Sequence, residues 1–121
     1  MPSSVEVELD IFSGKPNPTW VLSNRDAAEF LDRLGLLTRT TSGEISNPLG
    51  YRGFVVDTGR GQLVRVQDGT VQATHGEDQS YFADPHRDLE RWLFSTGATV
   101  IDSRLASIVE AELGRSDGGQ L

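Results

Sequence analysis

The chain has 121 residues, 36% of them hydrophobic and 24% charged, with 13 glycines and a formal net charge of −7. That length builds one folded core without a metal or disulfide staple, and the absence of cysteine excludes disulfides, thiolate metal sites, iron–sulfur clusters and a cysteine nucleophile. The acidic balance and the scattering of only 11 basic residues argue against nucleic acid and anionic membranes as partners. The first residues have neither the basic nor the apolar region of a secretory leader. No apolar run is long enough to span a bilayer. The expected address is therefore cytoplasmic.

Val5, Val7, Leu9 and Ile11 alternate with Glu6, Glu8 and Asp10, the period of a half-buried strand. The arm that follows is stiff: Pro16 and Pro18 lock their own φ and push Lys15 and Asn17 toward extended backbone. Ser23 then caps a helix, with Asp26 in the place of the capping-box acid. Ala27, Phe30, Leu31 and Leu34 make its inward stripe, and Gly35 its stop. Residues 36–50 are rich in Thr, Ser, Gly and Asn and predict a long loop.

Three strands are expected next: Tyr51 to Asp57, Gln62 to Gln67, and a third after the Asp68-Gly69 turn. With that two-residue turn, Gln67 should pair with Thr70, Val66 with Val71, Arg65 with Gln72 and Val64 with Ala73. The valines and Ala73 then share one face, and the polar residues the other. His75 to Asp78 predicts an acidic solvated loop, anchored by Ser80 to Ala83. Asp84-Pro85 opens a second helix with Leu89, Trp92 and Leu93 inward and Gly97 at its end. Asp102 or Ser103 caps a third, with Leu105, Ile108, Val109 and Leu113 inward and Gly114 ending it. The expected organisation is a single α+β domain over 1–114 with a disordered tail, 115–121. Its sheet has about four mainly antiparallel strands, and its three helices lie mostly on one face, in the order β-α-β-β-β-α-α.

Two stretches are candidates for a site. In the arm, Asp10, Ser13, Lys15, Asn17 and Trp20 leave a strand end, where polar groups can converge beside an aromatic wall. Lys15 precedes Pro16 and lacks the upstream glycine of a phosphate loop, so that motif is absent. In Gly50-Tyr51-Arg52-Gly53-Phe54, glycines flank a Tyr-Arg pair at a strand start. Arg52 suits a carboxylate or phosphate, with Asp10 as an internal partner. The plainer alternatives are a crossover packed by Pro and Trp, and an ordinary ion pair. His75, Glu77, Asp78, Asp84, His86 and Asp88 match no metal-ligand spacing, and no cofactor is expected.

The preferred expectation is a non-catalytic binding or accessory module. It would dock a small anionic ligand, a peptide or a protein partner at the arm 13–20 and the strand start 51–54, as monomer or homodimer. The alternative is a small hydrolase or isomerase with Asp10 or His75 as base and Arg52 and Lys15 holding an anionic substrate.

Overall fold

Alternation along the strands builds most of the sheet, and backbone pairing at the two edges completes it. A computed structural model describes residues 4–12, 16–41, 43 and 50–118. Its elements are β1 (Glu6–Leu9), β2 (Thr19–Val21), α1 (Asn24–Gly35), β3 (Thr38–Thr40), β4 (Phe54–Asp57), β5 (Gln62–Gln67), β6 (Thr70–His75), β7 (Asp78–Ala83), α2 (Asp88–Thr96) and α3 (Ser103–Gly118). The strands form one seven-stranded sheet in the order β2-β1-β4-β5-β6-β7-β3. Every pairing in it is antiparallel.

The expectation of about four strands is thus corrected to seven. The α+β character and the three helices hold. β2 and β3 were missed because three residues each are too few to show a period. β2 is the end of the proline arm itself: Pro18 accepts the Leu9 N–H at 2.9 Å and hands the chain into the edge of the sheet. β7 has no apolar alternation, and most of its residues are half-buried rather than split between core and solvent. A turn at Gly76-Glu77 folds it back on β6, so the expected acidic loop from His75 to Asp78 is exposed as expected but shrinks to a two-residue turn, and the Ser80 to Ala83 anchor is part of a strand. β1 lies between β2 and β4. Its acidic face therefore guards no edge.

The β5–β6 register is the expected one, with Gln67 opposite Thr70 and Val64 opposite Ala73. Val7, Leu9, Phe54, Val56, Val64, Val66 and Val71 share one face, fully buried in a cluster with Phe30, Leu93 and Val109 from the three helices. Burial of this continuous apolar layer is the main favourable term of the fold. The opposite face carries no helix among the described residues.

Ser23 Oγ caps α1 by accepting the Asp26 N–H at 3.1 Å. Only Phe30 of the expected stripe is fully buried, and Leu31 is 44% exposed. The second helix begins later than expected. Pro85–Arg87 is a 3-10 turn in which His86 and Arg87 both take φ of 58°, and α2 starts at Asp88. Buried Asp84 still caps it, reaching over the turn to accept the N–H groups of Leu89 at 2.8 Å and Glu90 at 3.1 Å. Asp102 caps α3 through the Leu105 N–H at 2.9 Å. Leu105, Val109 and Leu113 point inward while Ile108 is 43% exposed. α3 runs through the expected stop at Gly114 to Gly118, and residues 119–121 lie outside the described residues.

Among the described residues no helix is long and apolar enough to cross a membrane.

Candidate functional site

The arm and the strand start meet at Asp10. As β1 ends, Asp10 exchanges backbone hydrogen bonds with its neighbours: its N–H goes to Gly53 at 3.0 Å, and its carbonyl accepts the Arg52 N–H at 2.8 Å. That ladder sets Arg52 beside the Asp10 carboxylate, to which its Nε and Nη2 donate at 3.1 and 2.9 Å. Arg52 Nη2 also reaches the Phe12 carbonyl at 2.7 Å. The other carboxylate oxygen accepts from Arg65 Nη1 at 2.9 Å. Asn17 closes the group: its side-chain oxygen accepts the Ile11 and Phe12 N–H groups, and its amide donates to Glu8 at 2.7 Å and Asp10 at 3.4 Å. Of the residues read from sequence as a site, Asp10, Asn17 and Arg52 are therefore brought together. They satisfy one another.

Trp20 and Tyr51 turn the other way. Trp20 is buried in register with Val7, its indole N–H donating to Thr96 Oγ1 at 2.9 Å and its ring covering Gly97. Tyr51 is buried and donates its hydroxyl to Glu90. Burial and the Glu90 charge push its phenol far above the ordinary range, so it stays neutral. Neither aromatic is a wall for a ligand beside Arg52. Ser13 and Lys15 lie outside the described residues. His75 pairs with Gln62 and Asp78, at the end of the strands opposite to Asp10. The two candidate bases do not share a site.

Burial raises the Asp10 carboxyl, but the hydrogen bonds and charges of Arg52 and Arg65 outweigh it and hold the group below its usual range. An acid whose pKa is depressed on folding stabilises the fold above its unfolded pKa, about 3.9, and loses that contribution as pH falls through the folded value. Unfolding free energy measured against pH should therefore fall more steeply below about pH 4 in the wild type than in Asp10→Asn. Parallel acid limbs would refute the clamp.

Sequence reasoning missed the surface next to this clamp. On the helix-free face one row crosses the whole sheet: Thr19, Glu8, Val55, Arg65, Gln72, Tyr81 and Thr40 stand in register from one edge to the other. Val55, Leu63, Arg65, Gln72 and Thr74 enclose a hollow of about 200 Å³ there. Arg65 is 31% exposed at its side chain, against 11% for Arg52. Asp10 holds its guanidinium through Nη1, and the same Arg65 side chain lines the hollow. Gln72 gives its amide to the Tyr81 hydroxyl at 2.9 Å, which ties the two side chains together. The signal was present in the hairpin register, which put Arg65 and Gln72 on the non-core face. Whether helices cover that face depends on tertiary structure.

Compared with protein-family models, with curated proteins and with solved structures, the chain finds no significant match in any of the three.

Proposed function

We propose that the protein is a non-catalytic cytoplasmic binding or accessory module. Its recognition surface is the face of the sheet that carries no helix among the described residues, with Asp10, Asn17 and Arg52 at its rim. The observation that carries this reading is the hollow on that face, edged by an Arg65 guanidinium that the Asp10 carboxylate already orients. An oriented guanidinium loses little side-chain freedom when it binds, and its planar fork matches a carboxylate or phosphate. The apolar stems of Val55 and Leu63 beside it suit a ligand that pairs one anionic group with a small apolar body. Asp10 is a poor base, since both its oxygens are occupied and its pKa is depressed.

A thermal-shift series with inorganic phosphate, citrate and branched-chain 2-oxo acids tests the proposal. At least one of these should raise the melting temperature of the wild type. At a ligand excess of 100-fold over Kd the stabilisation is about 2.7 kcal/mol. Arg65→Gln and Gln72→Ala should each lose most of that gain while keeping a cooperative transition. A shift retained in both variants, or no shift with any anion, would remove the hollow as the site.

A further inference from the structure

The chemistry of the hollow on the sheet face narrows what it can hold. Its volume, about 200 Å³, falls below the range of drug-sized ligand clefts, about 300–1,000 Å³. One residue-sized molecule fills it. Leu63 is 49% exposed there, and covering it with an aliphatic group removes apolar surface from water.

Three polar side chains on its wall have bonding capacity left. Arg65 gives Nη1 to Asp10 and makes no other side-chain bond among the described residues. Thr74 makes no side-chain hydrogen bond among them. Gln72 decides the ligand's polarity. The Tyr81 hydroxyl donates to Gln79 Oε1 at 3.4 Å and accepts the Gln72 amide N–H at 2.9 Å. That direction of donation leaves Gln72 Oε1 an acceptor with no donor among the described residues. A ligand that matches Arg65 and Gln72 together carries a carboxylate and, beside it, an N–H or O–H donor. A 2-oxo acid supplies only the first, because its keto oxygen is an acceptor.

Charge separates the two kinds of donor. Glu8 stands opposite Val55 and Asp57 opposite Leu63, each one strand away on the same face. Adjacent strands are about 4.8 Å apart, well inside the Debye length of about 8 Å at physiological salt. Each of these carboxylates has one oxygen engaged, Glu8 by the Asn17 amide and Asp57 by the Gly59 N–H. Their other oxygens have no partner among the described residues. The field of this flank opposes a bare anion and favours a cationic donor over a hydroxyl.

Taking the hollow as the recognition surface, we infer that it holds a free aliphatic α-amino acid. The carboxylate meets Arg65, the ammonium meets Gln72 Oε1 in the field of Glu8 and Asp57, and the side chain lies on Val55 and Leu63. Such a zwitterion adds no net charge to a chain already at −7.

The probes are L-leucine, 4-methyl-2-oxopentanoate and leucinamide, titrated into the isotopically labelled full chain and followed by amide and side-chain resonances. The oxo acid keeps the carboxylate and side chain but has no ammonium, whereas leucinamide keeps the ammonium and loses the carboxylate. Leucine should shift Val55, Leu63, Arg65, Gln72 and Thr74, and bind at least about fivefold tighter than either analogue. Arg65→Gln should weaken leucine about tenfold. Asp57→Asn keeps the oxygen that accepts the Gly59 N–H, and it should cut leucine's advantage over the oxo acid, less so in high salt. A merely structural role for Asp57 would weaken both ligands alike. Equal binding of the oxo acid and leucine, or an unchanged ratio in Asp57→Asn, would overturn the amino-acid assignment and leave the hollow an anion site. Equal binding of leucinamide and leucine, or no shifts in the hollow with any of the three at millimolar concentration, would remove both.

Discussion

Glu90→Ala is expected to lower the stability of the fold by about 3–5 kcal/mol, the usual cost of leaving one member of a buried ion pair without its partner. Glu90 is fully buried, and its two oxygens hold four donors. Oε1 accepts the Asp68 N–H at 2.9 Å and Arg87 Nε at 2.8 Å, while Oε2 accepts Arg87 Nη2 at 2.8 Å and the Tyr51 hydroxyl. Arg87 in turn donates to the Glu112 carbonyl on α3 at 2.9 Å. One carboxylate therefore ties the strand start, the β5–β6 turn, the turn before α2, and, through Arg87, the last helix. Burial pulls the Arg87 pKa down, but the Glu90 hydrogen bonds and charge more than reverse this and hold it charged. Removing Glu90 leaves that buried charge only the exposed Asp68 carboxylate, 3.5 Å away, as a counter-charge. Urea unfolding should show the loss in the midpoint with an unchanged slope. In a double-mutant cycle, Arg87→Ala should cost much less in the Glu90→Ala background than in the wild type. A loss below about 1 kcal/mol, the size of an exposed pair, would show that the cluster is solvated.

Gly53→Ala is the second large effect, and Gly50→Ala is its control. Both glycines take φ of +87°, where an L-residue is strained by about 1–2 kcal/mol. At Gly50 a Cβ meets nothing within 4 Å. At Gly53 the added Cβ falls on the Val66 carbonyl oxygen, a backbone atom of the neighbouring strand, and lies 3.0 Å from Gln67 Cβ. Backbone in the middle of a ladder cannot step aside as a flexible side chain can. Gly50→Ala should therefore cost about 1–2 kcal/mol, and Gly53→Ala about 3–5 kcal/mol, in the range reserved for overpacking with strain. At roughly 4 °C per kcal/mol, thermal melts separate the two variants clearly. Because Gly53 accepts the Asp10 N–H, Gly53→Ala should also loosen the Asp10–Arg52 pair. Equal losses for the two variants would mean that the β4 start yields easily.

The amino-acid sequence alone determined the parts whose partners are near in the chain. The Asp68-Gly69 turn and the alternation on either side of it specify the β5–β6 register, because a slip by one residue would bury Arg65 and Gln72. Ser23 and Asp102 announce their helices through caps within three residues. Tertiary structure decided the rest. β2 and β3 exist because longer strands offer them backbone groups, and those groups carry no side-chain code. Asp10 and Arg52 suggested one another from sequence. That Arg65, 55 residues away, takes the second carboxylate oxygen follows only from β1, β4 and β5 lying side by side. Likewise Tyr51, legible as a strand-start residue beside Arg52, faces the core together with Phe54 because the left-handed Gly53 breaks the alternation between them, with Arg52 and Gly53 both opposite Asp10, and Glu90 waits on the buried side.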